Sequence, residues 1–250
     1  MILLYILGAV LSLFLLYVLF LGVCSLLVSP RKEYGKNSPF YRFLLDSATW
    51  AAMKLLRINV HVTGMEKVPT GAKLLFVSNH RSNFDPIITW YVFRNWKLAF
   101  ISKPSNFRIP FFGRIVRKCC FLPIDRENPR KAIVTINRAA GLLRDREVSI
   151  GVYPEGTRSR NGELLPFHNG VFKIAKKANA PVVVFSVTGT ETIAHRTPFR
   201  RSDVFLDVLE VIPAESAAAA KTEMVGTVAR HLIEKNIEKR KTHGSGIRTV

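Results

Sequence analysis

The sequence predicts an α/β fold: a largely parallel sheet flanked by helices, preceded by an N-terminal membrane-attachment helical unit. The first observation is that short apolar, β-branched runs alternate with helical patterns from Leu74 onward. The second is an uncharged, apolar stretch at the start of the chain. We therefore divide the chain into membrane-attachment helices at 1–58, a catalytic domain at 59–234 and a basic flexible tail at 235–250.

The segment 1–30 contains no charged side chain and is rich in Leu, Ile, Val and Phe. A hydrocarbon core needs about 20 apolar residues in helical form, so this segment is long enough to cross or to embed. A secretory signal peptide is the alternative, but the positive n-region is missing and the apolar stretch is too long. The basic residues that follow, Arg31, Lys32 and Lys36, place the rest of the chain on the cytoplasmic side.

The segment 38–58 has the periodicity of an amphipathic helix. Its apolar residues recur on one face, whereas Arg42, Asp46 and Lys54 lie off that face. Such a helix lies either in the membrane interface, with Trp50 at headgroup depth, or packed on the domain. Periodicity alone does not separate these two alternatives.

Beyond Asn59, runs of β-branched and aromatic residues predict strands, and amphipathic segments predict helices. The helix that starts at Pro129 is the best marked, because Asn128 precedes it as a cap and the proline suits the first turn. The predicted strands are 74–77, 98–102, 148–153, 182–187 and 204–211, and the predicted helices are 86–93, 129–146 and 167–179.

The charge balance predicts an anionic partner. Lys and Arg number 37 against 18 acidic residues, which gives a formal charge of +19. Nucleic acid, anionic lipid and phosphorylated substrates all fit that charge, although the basic residues are dispersed and no nucleic-acid-binding module is recognised. The three cysteines form neither a disulfide framework nor a metal-ligand spacing.

A histidine and an aspartate five residues apart, His80 and Asp85, follow the first predicted strand of the domain. A carboxylate that accepts the second ring N–H of a histidine fixes its tautomer and stabilises the cation, which makes a general base. The alternative is that Asp85, followed by Pro86, caps a helix. At this spacing alone, both interpretations stay open.

Two further clusters are suited to bind a phosphate. The segment 151–162, GVYPEGTRSRNG, places Arg158 in a turn rich in backbone donors, next to Glu155, Gly156 and Thr157. A surface turn is the alternative for this segment. Arg126 precedes the cap of the helix at Pro129, where the positive helix end favours an anion.

The order and spacing of four elements resemble the lysophosphatidate (1-acylglycerol-3-phosphate) acyltransferase family. The elements are Asn79-His80 with Asp85, the segment 121–126, the segment 153–159 and the apolar run 180–183. The resemblance spans about 74–187 and implies a membrane-bound 1-acylglycerol-3-phosphate O-acyltransferase. Several positions depart from the family pattern, among them Pro123 and His168, so an acyltransferase for another lysophospholipid is an alternative.

By this resemblance, His80 takes the proton of the acceptor hydroxyl as it attacks an acyl thioester, and Asp85 holds the imidazole. Arg126, Glu155, Gly156, Thr157 and Arg158 would hold the acceptor phosphate, with Lys103 a further candidate. Turn chemistry, and not the resemblance, leads us to expect that the Gly156 N–H serves the thioester oxyanion.

The resemblance implies no cofactor and no metal. Acyl-CoA or acyl carrier protein would be the donor, a lysophospholipid the acceptor, and membrane lipids the surroundings, with no nucleic acid. A non-catalytic membrane protein that binds anionic lipid or nucleic acid is the alternative from another class, because the net charge alone is compatible with it.

Overall fold

The computed structural model describes residues 1–197 and 199–244. Two helices, α1 (Ile2–Leu26) and α2 (Pro39–Leu55), precede the sheet. The strands are β1 (Ile58–Thr63), β2 (Leu75–Val77), β3 (Leu98–Ser102), β4 (Leu122–Pro123), β5 (Ser149–Val152), β6 (Val182–Thr188) and β7 (Ser202–Ile212). The remaining α-helices are α3 (Asp85–Val92), α4 (Phe112–Lys118), α5 (Pro129–Arg144), α6 (Lys173–Ala178), α7 (Ile193–Arg196), α8 (Ala214–Ala219) and α9 (Thr222–Gly244).

The strands form one sheet in the order β1-β7-β6-β2-β5-β3-β4. All neighbouring strands pair in parallel except β6 and β7, which are antiparallel. The predicted α/β fold with a largely parallel sheet is therefore confirmed. The carboxyl ends of β2, β5, β3 and β4 lie along one edge, where ligands bind in open α/β sheets.

Helices cover both faces of the sheet, which explains why its central strands are continuous apolar runs. One core packs α5, α6 and α9 residues against side chains such as Val184 and Ile150. The other packs α2 and α3 against aromatic side chains, in which the Phe76 and Phe93 ring centroids lie 4.5 Å apart. Strand β2 is buried along its whole length, so the turn that follows it starts from a rigid base.

Helix α1 is uncharged and exposed over most of its length. Its 25 residues span roughly 37 Å, against about 30 Å for a hydrocarbon core. Within the described residues it is the one helix long and apolar enough to cross a membrane, with a mean hydropathy of 2.7. Its second half is tied to α2, because Tyr41 Oη donates to the Cys24 carbonyl at 3.0 Å and Tyr17 Oη lies 2.8 Å from Ser47 Oγ.

Helix α2 packs on the domain through one face and exposes large apolar side chains on the other. Leu44 and Met53 are buried, whereas Phe43 and Trp50 are more than half exposed. Arg42, predicted to lie off the apolar face, is buried instead: its guanidinium donates to the Leu98 carbonyl at 3.0 Å. The buried face agrees with a helix packed on the domain. The exposed apolar face is also compatible with a position in the membrane interface.

Helix α9 continues through the first part of the segment expected to be a flexible tail. Ile237 is buried, and the Arg240 guanidinium is bonded to both carboxylate oxygens of Asp207. Burial raises the pKa of Asp207, but hydrogen bonds from Arg240, Thr63 and Asn236 outweigh it and hold that pKa below its ordinary value. The expected tail at 235–250 is thus helical to Gly244, and 245–250 lies outside the described residues.

Several elements differ from the sequence prediction, which did not include β4, α4, α7, α8 or α9. Strand β1 was not predicted, and its outer half is exposed at the edge of the sheet beside β7. The predicted helix at 167–179 is a 3₁₀ turn, Asn169–Phe172, followed by the short helix α6. Phe172, Ile174 and Ala175 of the second segment are in the core.

Candidate active site

His80 and Asp85 meet at the carboxyl end of β2. The His80 Nδ1 atom lies 2.8 Å from Asp85 Oδ2, and Asp85 is fully buried. An ionised carboxylate only accepts hydrogen bonds, so Nδ1 carries the proton and Nε2 has a free lone pair. Within the described residues Nε2 has no hydrogen-bond partner. The arrangement is that of a histidine prepared to take a proton.

The Asp85 carboxylate organises the turn that carries His80, and does not cap α3. Its Oδ2 atom accepts from the backbone N–H of Arg81 at 2.6 Å and of Ser82 at 2.7 Å. Its Oδ1 atom accepts from Thr190 Oγ1 at 2.5 Å. The helix starts after Phe84 without a side-chain cap. The capping alternative therefore does not describe this structure.

Two side chains, those of Asn79 and Glu155, fix the backbone around His80. The Asn79 amide bonds both the N–H and the carbonyl of Val187, at 2.9 and 2.8 Å, and so continues the pairing of β2 with β6. The Glu155 carboxylate accepts the His80 N–H at 2.5 Å and the Leu165 N–H at 2.9 Å. Asn79 and Glu155 are both buried, so they fix the position of the backbone from which the His80 side chain projects.

Glu155 was grouped by resemblance with phosphate-binding residues, but its contacts assign it another task. Both carboxylate oxygens are occupied by backbone donors. Burial raises the pKa of this group, while the two backbone hydrogen bonds lower it. A buried carboxylate with filled oxygens cannot also bind a phosphate, which offers only acceptors. Glu155 instead connects the turn after β2, which carries His80, to the segment that contains Leu165.

Tyr153 forms one wall beside the histidine. Its ring stacks on the His80 ring with centroids 4.5 Å apart and an interplanar angle of 20°. The phenol oxygen lies 3.0 Å from Thr89 Oγ1, and burial raises the pKa of Tyr153 well above its ordinary value. Tyr153, Asn79 and Thr190 were not predicted as site residues, because their contacts join segments far apart in sequence.

An apolar cavity of about 460 Å³ adjoins Tyr153 and contains Arg126 and Gly156 in its lining. Gly156 has φ +70°, and a Cβ there would lie 2.9 Å from the His168 ring, so both backbone and space require glycine. The Gly156 N–H donates to the Tyr153 carbonyl at 3.0 Å. It is therefore not free to bind an oxyanion, contrary to the expectation from the sequence. The other lining residues are Ile101, Ile124, Ala132, Ile136, Val152, Pro154, Phe167, Asn169, Gly170 and Val171.

The structure brings together only some of the predicted phosphate ligands. Arg126 and Gly156 share one cavity, whereas Lys103, Thr157 and Arg158 do not line it. Lys103 and Thr157 are exposed and Arg158 is partly exposed. Within the described residues Arg126, Arg158 and Lys103 have no carboxylate partner, so their charges are available to an anion.

Cys119 and Cys120 are buried and lie behind the site. Burial raises the pKa of the Cys119 thiol to about 12 and that of the Cys120 thiol to about 11. The thiolate is the reactive form of cysteine, and at neutral pH it is scarce in both. Neither residue is a nucleophile on this basis.

The fold and the site together define the class. The Acyltransferase family matches residues 59–188, which is more than half of the chain and includes His80, Asp85, Arg126 and the 151–162 turn. The chain therefore belongs to the Acyltransferase family.

The relatives below share one name, and the matched segment spans less than two thirds of the length of each of the two curated proteins. The chain is 31% identical over 157 residues to the 1-acyl-sn-glycerol-3-phosphate acyltransferase of Salmonella typhimurium, covering 63% of this chain and 62% of that protein. It is 32% identical over 156 residues to a chloroplastic 1-acyl-sn-glycerol-3-phosphate acyltransferase of Brassica napus, covering 62% and 44%. The crystal structure of the 1-acyl-sn-glycerophosphate acyltransferase of Thermotoga maritima matches with a TM-score of 0.66 and 25% identity, covering 80% of this chain and 81% of that one.

Proposed function

We propose that the protein transfers an acyl group from an acyl thioester to the free hydroxyl of lysophosphatidate, giving phosphatidate. The observation that carries the proposal is His80, with Nδ1 on a buried carboxylate and a free Nε2. Its ring stacks on Tyr153, which lines the same cavity as Arg126. The names of the relatives support the same reaction. Another lysophospholipid as acceptor is the alternative within this chemistry.

The chemistry needs no covalent enzyme intermediate. His80 Nε2 takes the hydroxyl proton as the acceptor oxygen attacks the thioester carbonyl, and Asp85 stabilises the imidazolium that forms. When the tetrahedral intermediate collapses, the carbon–sulfur bond breaks and the thiolate takes that proton from His80. General-base assistance of this kind supplies about 10² to 10⁴ in rate.

Arg126 is the residue that we propose for the acceptor phosphate. Its guanidinium can offer two parallel N–H donors to phosphate oxygens. Arg158 and Lys103 would add charge from outside the cavity, with Gly156 giving close backbone approach and Thr157 a hydroxyl at the rim. The apolar lining of the cavity suits an alkyl chain.

We propose that the donor is acyl-CoA or acyl carrier protein and that α1 attaches the enzyme to a membrane. The exposed apolar surface of α1 supports attachment, and Arg31, Lys32 and Lys36 support a cytoplasmic catalytic domain. The division at residue 58 between the attachment unit and the catalytic domain remains part of this proposal.

The test is thiol release from acyl-CoA by the purified full-length chain, with and without lysophosphatidate, alongside a panel of donors and acceptors. His80→Ala is expected to lower kcat by about 10² to 10⁴ with little change in acceptor KM. Arg126→Ala is expected mainly to raise acceptor KM, whereas Arg130→Ala, the matched loss of one exposed arginine, leaves it unchanged.

Three results would contradict the proposal. One is thiol release that does not depend on any lysophospholipid. A second is a folded His80→Ala protein with normal kcat. The third is equal effects of Arg126→Ala and Arg130→Ala on acceptor KM.

A further inference from the structure

A second cavity, of about 780 Å³, lies between the residues that follow α1 and helix α4. It shares no lining residue with the cavity beside Tyr153. The two cavities lie on either side of the chain at the end of β4, since Pro123 lines the second cavity and the next residue, Ile124, lines the first. The acceptor chemistry therefore does not account for this second cavity.

Four arginines line this cavity: Arg31, Arg108, Arg114 and Arg117. None of them has a carboxylate partner within residues 1–197 and 199–244. Glu33 is the one acidic residue in the lining, and its carboxylate forms an ion pair with Arg138. The cavity thus concentrates positive charge that no acidic side chain of the described chain neutralises.

Arg117 shows that the protein leaves hydrogen-bonding capacity unused in this cavity. Its Nε atom is buried and has no hydrogen-bond partner among the described residues. Its guanidinium carbon lies 4.9 Å from the centroid of the Phe107 ring, and burial lowers the pKa of Arg117. A bound anion with several oxygens can accept hydrogen bonds from the guanidinium groups of the lining arginines.

The rim of the cavity is apolar on the side of α1. Ile109, Phe111 and Phe112 are exposed, although all three are large apolar residues. The Phe111 ring packs on α1, since a methyl group at Gly22 would lie 3.1 Å from it. Phe111 has φ +59°, and the Phe112 N–H donates to the Pro110 carbonyl at 2.6 Å, which makes a tight γ-turn. This turn places aromatic rings beside the charged cavity.

We propose that this cavity binds the phosphate headgroup of an anionic membrane phospholipid, as a site separate from the acceptor site. The arginines would bind the phosphate, and the lipid chains would leave past the rim toward the membrane that surrounds α1. A soluble phosphate compound would gain nothing from exposed Ile and Phe at the rim, whereas a lipid would. The site goes beyond acyl transfer and relies only on the proposed attachment through α1.

The experiment titrates a short-chain phosphatidylglycerol into the full-length protein in a neutral detergent, with direct measurement of bound lipid. Saturable binding is expected, with the matching phosphatidylcholine bound far more weakly. Arg114→Gln/Arg117→Gln is expected to raise Kd by at least about tenfold, because the charged hydrogen bonds to the phosphate are lost. If that variant does not fold, Arg31→Gln/Arg114→Gln also removes two lining arginines and is expected to raise Kd in the same way.

The matched control is Arg200→Gln/Arg201→Gln, which removes the same charge from exposed residues before β7, far from β4 in the sheet order. It is expected to leave Kd unchanged. An equal rise in Kd for control and cavity variants, or no saturable binding by the wild type, would overturn the proposal.

Two further measurements, competition by inorganic phosphate and the acceptor KM of the cavity variants, identify which phosphate compound the cavity binds. Inorganic phosphate that competes as strongly as the lipid would make the cavity a free-anion site and overturn the lipid assignment. A rise in acceptor KM as large as the rise in Kd would make it the acceptor site and overturn the separation. Because binding is read without turnover, an inactive chain that still binds the lipid would contradict the proposed reaction and leave this site standing.

Discussion

Replacing Asp85 by Asn tests whether the negative charge beside His80 acts in catalysis. Three N–H donors point at Asp85 Oδ2, so the amide oxygen of asparagine must occupy that position. The amide nitrogen then faces the Thr190 hydroxyl, which can rotate to accept. The turn and the imidazole orientation are therefore expected to survive, and the change removes one charge.

The magnitude follows from Coulomb's law. With the imidazolium and the carboxylate centred about 4 Å apart and an effective dielectric constant of about 20, the attraction is about 4 kcal/mol. If that attraction is present only when His80 carries the proton, its loss lowers kcat by about 10³. Acceptor KM should change little, because the charge pair exists in the transition state and not in the ground state.

The assay is kcat for thiol release at saturating substrates, with thermal unfolding to show that the variant is folded. Thr190→Val is the matched control, because it removes one hydrogen bond to Asp85 and keeps the charge. Its kcat is expected to fall by about tenfold at most. A folded Asp85→Asn protein with near-normal kcat would refute the catalytic charge. Equal losses in the two variants would assign Asp85 to placement of the turn alone.

Three further predictions concern other parts of the chain. Because their thiols stay protonated, Cys119→Ala and Cys120→Ala should retain substantial activity, and a loss like that of a catalytic-base variant would overturn direct transfer. Arg240→Ala should lower the free energy of unfolding by about 1–3 kcal/mol in denaturant titrations at neutral pH. Deleting 1–30 should leave weak, salt-sensitive vesicle binding through the basic and apolar segment 107–118, FRIPFFGRIVRK, and equal binding to neutral and anionic vesicles would exclude this segment as an interfacial patch.

The prediction for Arg240 has a defined pH dependence. The folded pKa of Asp207 lies below its ordinary value, so its contribution to stability is fully present above the unfolded pKa of about 3.9. That contribution is lost as the pH falls through the folded pKa. The difference between wild type and Arg240→Ala should therefore shrink in acid. A difference that stays constant down to that range would show that the ion pair is not its origin.

The sequence predicted the inner strands well because each is buried on both faces and reads as an uninterrupted apolar run. Strand β1, at the edge, alternates Asn59 and His61 with apolar residues, and its hydrophobic signal is correspondingly weak. The segment 235–250 was expected to be flexible, whereas its part in α9 is held by the buried Ile237 and by hydrogen bonds from Asn236 and Arg240 to Asp207, which composition does not reveal.

The sequence indicates which site residues lie close together when they are near in the chain, but it does not reveal contacts between distant segments. His80 and Asp85 are five residues apart, and their meeting follows from one turn. Thr190 reaches Asp85 across 105 residues, and Glu155 reaches His80 across 75, so neither contact leaves a mark in local spacing. A motif identifies which residues matter, but the direction of each side chain depends on the assembled sheet.

The bond from Glu155 to the His80 backbone has a consequence for anyone who wishes to change which acceptor the enzyme takes. The turn that carries Gly156 is an obvious segment to exchange with a relative, because it borders the cavity with Arg126. Yet its neighbour Glu155 supports the peptide from which the base projects. A graft that moves this carboxylate would misalign the imidazole and produce a slow enzyme, even with the new pocket correctly built. An exchange of loops should therefore replace the turn with His80 and the turn with Glu155 together.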